Sequence, residues 1–190
     1  AANDIVVVAI DNASLSQLGR WPWNRQVHAQ LVHRLTEAGA KAVVLDILFA
    51  EAEQRSPDAD QNLIDAITAN GRVVLPIVFE QSGTNGKLVE TLPMPELSHA
   101  AAALGHVHID LDPDGIARRV YLQEGLGRPR WPSLSLAVLR MLEPGAWERL
   151  PGARNADIAL GTDENIVRDH QILLPFAGPP GHFSRSSYVD

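Results

Sequence analysis

Cysteine is absent from the 190 residues of this chain, which excludes disulfide bonds, thiolate metal sites and cysteine nucleophiles. Basic residues are also scarce. The 16 Lys and Arg against 23 Asp and Glu give a net charge of −7, and no run of five Lys or Arg occurs. A nucleic acid or an anionic membrane surface is therefore not expected as the main partner.

Long apolar runs and two common catalytic signatures are missing as well. The longest runs, IVVVAI and AVVLDILF, are too short to cross a bilayer, and no signal segment opens the chain. The scattered glycines form no phosphate-binding loop, and no Gly-x-Ser-x-Gly elbow occurs. We therefore expect a soluble chain cut from a larger protein, with no catalytic residue, metal or cofactor of its own.

The first half of the chain alternates short apolar runs with amphipathic stretches. The pattern predicts buried strands at 5–10, 42–49 and 72–79 and helices at 24–39 and 56–71. This order is typical of a parallel strand-helix-strand-helix-strand half of an α/β fold. Pro76 has no amide donor, so the third strand is expected to bulge or to lie toward an edge.

In the second half of the chain, the apolar residues of the predicted hairpin recur with a period of two. We expect a surface loop at 81–95, helices at 96–104 and 132–142, an antiparallel hairpin turning at 112–115, and short strands at 165–168 and 171–176. The predicted fold class is α/β: the parallel half, then an antiparallel β-hairpin and a β-rich C-terminal part. Since no repeat or long linker appears, residues 1–190 are expected to form a single domain.

Two carboxylates follow predicted strands at the sheet edge where α/β proteins bind ligands. Asp11 comes just after the first strand, and Asp46 lies near the end of the second. Such a pair could hold Mg²⁺ for phosphoryl chemistry, although DNAS lacks the second aspartate that aspartate phosphotransfer enzymes carry. Capping a helix or tying down a loop is the commoner role for such residues.

The stretch GRWPWNR places two tryptophans where a loop becomes a helix. A Trp buries on the order of 200 Å² and usually finds a partner for its indole N–H, so this loop must be covered. Trp21 and Trp23 are interpreted first as a hydrophobic plug and second as the wall of a ligand site. With Phe49 at the same edge, the candidate ligand-binding residues are Asp11, Trp21, Trp23, Asp46 and Phe49.

Two further groups of polar residues can be interpreted either as binding sites or as ordinary solvent-exposed residues. His106, His108 and Asp110 alternate along the predicted hairpin and could ligate a metal, but a solvent-facing strand shows the same pattern. Arg118 and Arg119 could bind an anion, and surface solvation or a salt bridge is the commoner outcome.

The order of motifs resembles the second type of CHASE domain over nearly the whole chain. GRWPWNR with the helix after it, AKAVVLDILF and DPDGIARRV are the most specific pieces of this resemblance. The resemblance implies a sensory domain outside the cytoplasm, periplasmic or extracellular, in a protein of the inner or plasma membrane. It also implies flanking transmembrane helices and a cytoplasmic nucleotide cyclase, diguanylate cyclase or kinase in the same chain. It brings no established functional residue.

The expected function is therefore a signal-input domain that responds to an unidentified small molecule or stress and relays it through membrane helices, with a homodimer as a further expectation. One alternative is a soluble metal-dependent α/β phosphohydrolase that uses Asp11 and Asp46. Another is a dimerisation or protein-docking scaffold that binds no small molecule.

Overall fold

A computed structural model describes residues 4–54, 56–82, 86–145, 148–155, 165–179 and 181–190. The helices are α1 (Asn12–Leu18), α2 (Arg25–Glu37), α3 (Pro57–Asn70), α4 (Pro95–Ala100) and α5 (Leu134–Leu142). The strands are β1 (Val6–Ala9), β2 (Val43–Val44), β3 (Val73–Ser82), β4 (Lys87–Thr91), β5 (Ala103–His106), β6 (Arg119–Leu126), β7 (Trp131–Pro132), β8 (Ile166–Leu173) and β9 (Ser184–Ser187).

The described strands form three sheets. β3 pairs in parallel with β2 and β5 and antiparallel with β4, which makes a four-stranded sheet. β6 lies between β7 and β8 in an antiparallel three-stranded sheet, and β1 pairs in parallel with β9. The predicted fold class, a mixed α/β domain with parallel strands first and a β-rich C-terminal part, is confirmed.

The helix boundaries follow local capping signals. Asn24 accepts a hydrogen bond from the Gln26 amide at the start of α2, and Ser133 accepts one from the Leu136 amide at the start of α5. Gly71 ends α3 in the left-handed conformation, which a glycine adopts without steric cost. These helices are where the sequence predicts them.

β3 is the centre of the four-stranded sheet, so the prediction that it lies toward an edge is wrong. Its backbone groups point alternately to its two neighbours: the Val74 carbonyl accepts from Leu45 on the β2 side, and the Ile77 carbonyl faces Val107 on the β5 side. The same alternation turns Pro76 toward the β2 side, beyond the last pair of that short strand. Its missing amide donor therefore leaves no ladder bond unmade.

The main core lies between the four-stranded sheet and the helices α2, α3 and α4. Its fully buried side chains include Val32 from α2, Leu63 and Ile67 from α3, Leu75 from β3 and Leu97 from α4. On α2, the apolar residues Val27, Leu31 and Leu35, which repeat at a spacing of four, are only partly buried, and the buried residues of that helix are His28, Ala29 and Val32. The helix is thus rotated so that a histidine faces inward.

Four predictions for the second half are wrong in detail. The loop predicted at 81–95 contains β4, which pairs with the end of β3. Residues 112–116 form a tight turn, closed by the Asp112 amide on the Ile116 carbonyl, but residues 107–111 form no strand, and β6 pairs with β7 and β8. The helix predicted at 96–104 ends at Ala100 and is followed by β5. The strands predicted at 165–168 and 171–176 are one strand, β8, with Asp169 and His170 inside it.

β1 differs from its prediction in burial and in partner. The strand predicted as buried at 5–10 has Val6 and Val7 at 58% and 46% exposure. It is hydrogen-bonded to β9, with Val6 opposite Ser184 and Ala9 opposite Ser187, and not to β2. The first and last described strands therefore lie side by side. This pairing brings the C-terminal segment to the Trp-Pro-Trp loop.

Candidate functional site

The Trp-Pro-Trp loop packs inward onto α2. Trp23 is only 4% exposed, and its indole N–H donates to the Gly19 carbonyl at 2.8 Å. Trp21, preceding Pro22 through a cis peptide, is half-buried and meets Trp23 edge-on, with 5.3 Å between ring centroids. The structure therefore gives Trp23 the role of a plug and leaves part of Trp21 at the surface.

His28 is the centre of this packing. It is 1% exposed, and its ring centroid lies 5.6 Å from that of Trp21, 5.3 Å from Phe49 and 5.9 Å from Tyr188. Its Nδ1 is 2.7 Å from the Tyr188 hydroxyl. Tyr188 also packs edge-on against Trp23 at 5.0 Å. We call Trp21, Trp23, His28, Phe49 and Tyr188 the aromatic clamp.

Burial keeps His28 and Tyr188, the hydrogen-bonded pair of the aromatic clamp, uncharged. Desolvation, with a smaller contribution from the nearby Arg25 guanidinium, lowers the pKa of His28 to about 4. Desolvation also raises the pKa of the Tyr188 phenol above its usual value. A neutral imidazole and a neutral phenol thus share a part-buried hydrogen bond at ordinary pH.

Arg25 links the aromatic clamp to α3. Its guanidinium lies 4.6 Å from the Phe49 ring centroid and donates to the Glu51 carbonyl at 3.0 Å. Its Nε is 3.5 Å from an Asp60 oxygen, and the other oxygen of Asp60 accepts from the Glu53 amide. The loop that carries Phe49 is therefore fixed at the aromatic clamp and at the first turn of α3.

Asp11 joins the start of α1 to the end of β9. One oxygen of its carboxylate accepts from the Ser14 amide at 2.9 Å and from the hydroxyls of Ser14 and Ser187 at 2.8 Å each. The hydrogen bond from the Ser14 amide is the largest of several that lower the pKa of Asp11 to about 2. Asp11 thus caps a helix and anchors the residue before Tyr188.

Four of the five residues predicted from sequence come together, directly or through one neighbour. Trp21, Trp23 and Phe49 are members of the aromatic clamp, and Asp11 reaches it through Ser187. Asp46 is exposed beyond β2, in a different sheet from the strand that precedes Asp11. Because the Asp11 oxygen already has three donors, this geometry does not favour a metal-dependent phosphohydrolase.

His28 and Tyr188 were missed by the sequence analysis. The signal for His28 was present, because His28, Val32 and Thr36 repeat at a spacing of four and form a second stripe on α2. Tyr188 lies in a short polar segment, SRSSYVD, and its position depends on the pairing of β9 with β1. Nothing local in the sequence indicates that pairing.

A second polar cluster lies between β5, β6 and β8. Glu124, 1% exposed, holds Nδ1 of His108 at 2.6 Å, and Arg168 pairs with Asp110. His106 is also 1% exposed, which contradicts a solvent-facing position, and burial lowers its pKa to about 4. Among the described residues, no group of three or more His, Cys, Asp or Glu could hold a metal.

An ion-pair cluster and a shallow cavity also lie at the surface. Arg118 binds the carboxylates of Asp114 and Asp112 at 2.7 and 2.8 Å, so it stabilises the turn. A shallow cavity of about 510 Å³ lies on β8, away from the predicted residues. Its lining includes Tyr121, Arg154, Asn155, Arg168, Asp169 and Gln171.

The fold and the site together define a mixed α/β domain whose first and last strands are joined beside an aromatic cluster. The chain belongs to the CHASE2 domain family, whose model matches residues 1–190. CHASE2 is an extracellular sensory domain family of signalling proteins and is not catalytic, so the resemblance stated from sequence is confirmed.

No curated protein and no solved structure matches the chain significantly. Among the described residues, no helix has both the length and the apolar character that crossing a bilayer requires.

Proposed function

We propose that this domain is the signal-input part of a membrane-bound signal-transduction protein. A small molecule or a stress acts on it in the periplasm or outside the cell, and flanking transmembrane helices relay the change to a cytoplasmic nucleotide cyclase, diguanylate cyclase or kinase. The family supports the sensory role. The observation that carries the relay is the His28–Tyr188 contact, which ties the C-terminal strand to the predicted site.

The relay works by a shift between two packings of β9. In the described packing, β9 is held by four residue pairs with β1, by the Ser187–Asp11 hydrogen bond and by Tyr188 in the aromatic clamp. Few apolar contacts hold such a short strand, so it can detach at lower free energy than the core. A signal that moves the population from 1:99 to 99:1 must favour one packing by about 5.5 kcal/mol.

The partly exposed face of Trp21 is where a ligand can touch the aromatic clamp. Trp23 and Phe49 lie behind it, at 4% and 0% exposure, so a ligand that displaces Trp21 also disturbs His28. Tyr188 follows, because it shares a hydrogen bond with His28. The hydrogen bond between Ser187 and Asp11 then changes in length, because Ser187 directly precedes Tyr188 in the chain. Exposed Asp46 is retained as a peripheral ligand contact.

The test uses the full-length membrane protein and its cytoplasmic output, measured as cyclic nucleotide formed or as autophosphorylation. Tyr188→Phe keeps the ring and removes the hydroxyl, so the basal output is expected to shift while surface expression is unchanged. Trp21→Ala is expected to abolish the response to the signal. Phe176→Ala, at a 69% exposed site outside the aromatic clamp, is the control. Normal basal output and normal response in both variants would overturn the relay.

A further inference from the structure

The N-terminal strand exposes apolar side chains on both of its faces. Val6 is 58% exposed and Val7 is 46% exposed, and neighbouring residues of a strand point to opposite faces. Ile5 and Ile10 of the same segment, and Leu15 and Leu18 of α1, are also between 37% and 53% exposed. Parallel strands are normally covered on both faces, so this surface is unusual for a strand such as β1.

One edge of β1 has no strand beside it in the described part of the chain. The Ala9 carbonyl accepts from the Tyr188 amide, so the backbone groups of Ala9 and Val7 face β9. By alternation, those of Val6, Val8 and Ile10 face the other edge. That edge therefore presents a row of backbone donors and acceptors between apolar side chains.

The usual protection of an edge strand is lacking here. Natural edge strands carry a lysine, a proline or an inward charge that prevents pairing with another chain. Residues 5–10, IVVVAI, contain none of these. Such an edge is suited to pairing.

The area and the charge of this surface fit a second copy of the chain. The six side chains, 37–58% exposed, present on the order of 500 Å² of apolar area per copy, so two copies can bury at most about 1,000 Å² of it, the lower bound for a specific interface. An uncharged strand can lie against itself without like charges meeting. A membrane surface is less favoured, because the chain carries −7 and residues 5–18 include no Lys or Arg.

We propose that two copies of this chain associate through antiparallel pairing of their β1 strands, which gives a four-stranded sheet in the order β9-β1-β1-β9. The two-fold axis passes at Val7 or at Val8. With the axis at Val7, the outward groups of Val6 bond those of Val8 in the other copy, and the two Val7 residues face each other as a non-hydrogen-bonded pair. This association is independent of the proposed relay, since it concerns a different surface.

Single cysteines test the pairing, because the chain contains no other thiol. In the Val7 register the two Val7 Cα atoms lie about 4.5 Å apart, and in the Val8 register the two Val8 Cα atoms lie about 5.5 Å apart; a disulfide tolerates both distances. Val7→Cys or Val8→Cys is therefore expected to give a covalent dimer under mild oxidation. Leu173→Cys, at a 71% exposed position on β8, is the matched control and should stay monomeric.

Sedimentation equilibrium of the unmodified chain over a range of concentrations gives the second measurement. A dimer is expected, and Val7→Lys should weaken it by at least about tenfold, while Leu173→Lys should not. In either register the substitution places an ammonium group against the apolar strand of the other copy, and in the Val7 register the two ammonium groups also meet at the axis. Circular dichroism confirms that both variants are folded. A monomer at all concentrations, or equal cross-linking at 7, 8 and 173, would overturn the proposal. A monomer that co-sediments with phosphatidylcholine–phosphatidylglycerol vesicles would overturn it in favour of a membrane-facing surface.

Discussion

Nδ1 of His28 lies 2.7 Å from the hydroxyl of Tyr188, although 160 residues separate them in sequence. His28 is on the buried side of α2, and Tyr188 directly follows β9. Their contact is therefore a direct connection between the helical core and the C-terminal segment. A displacement of α2 at His28 would therefore strain or break this contact with the C-terminal segment.

Removing the Tyr188 hydroxyl should destabilise the domain while keeping the aromatic packing. In Tyr188→Phe, the buried Nδ1 of His28 loses its partner, which costs about 1 to 3 kcal/mol of unfolding free energy. Urea denaturation measures this loss. Tyr121→Phe is the matched control, because the Tyr121 hydroxyl accepts from Gln171, which is partly exposed whereas His28 is buried, and the loss there should be below about 1 kcal/mol. Equal losses in the two variants would contradict a special role for the buried contact.

The domain should lose stability on mild acidification. His28 and His106 have pKa values of about 4 when folded, against 6.5 for the free side chain, chiefly because burial disfavours the cation. Between those two values the unfolded chain binds more protons, so unfolding becomes easier as the pH falls from about 6.5 to 4. Each histidine should account for about 2 kcal/mol between pH 7.5 and pH 5.

Urea midpoints at several pH values measure this dependence. Other charged or titratable groups lie near both histidines: Arg25 faces His28, and Glu124, His108 and Arg168 face His106. A substitution of each histidine therefore separates its own contribution from those of its neighbours. His28→Gln and His106→Gln should each flatten the profile. His33→Gln, on the exposed side of α2, should leave it unchanged. A steep profile that survives in both variants would assign the acid sensitivity elsewhere.

The elements that the sequence predicted well are those decided by neighbouring residues. Asn24, Gly71 and Ser133 begin or end helices through hydrogen bonds and backbone conformations within a few residues, and all three helices are present. Trp21, Trp23 and Phe49 were predicted as a group because large aromatics need cover, and they do pack together through His28.

The elements that were predicted poorly depend on distant partners. Residues 107–111 alternate like a strand, but His108 binds Glu124 and Asp110 binds Arg168, so a hydrogen bond to β6 and an ion pair to β8 fix this segment without a ladder. β9 has the sequence SRSS, with no strand pattern, and forms only because β1 offers its edge. Tyr188 could not be placed in the site without that pairing.

Removing the Ser187 hydroxyl should change the pKa of the Asp11 carboxyl group. Ser187 is the only distant residue among the described donors to this carboxylate, so Ser187→Ala should raise the pKa of Asp11 from about 2 toward its usual value of 3.8. NMR titration of the Asp11 carboxyl carbon measures this pKa. Ser186→Ala is the control, since the Ser186 hydroxyl donates to Asp190 instead. An unchanged pKa in Ser187→Ala would mean that β9 is not anchored at Asp11.

The two tryptophans should differ in what they contribute. Trp23 is 4% exposed and its indole N–H is bonded, so Trp23→Ala should cost about 3 to 5 kcal/mol, as deletion of a buried large aromatic does. Trp21 is half-buried, so Trp21→Ala should cost about 1 to 2 kcal/mol. Urea denaturation of each variant measures both values. If Trp21→Ala is as destabilising as Trp23→Ala, both residues are plugs and Trp21 has no free face for a ligand. If the costs differ as expected, a lost signalling response in full-length Trp21→Ala reflects lost contact with the signal and not lost folding.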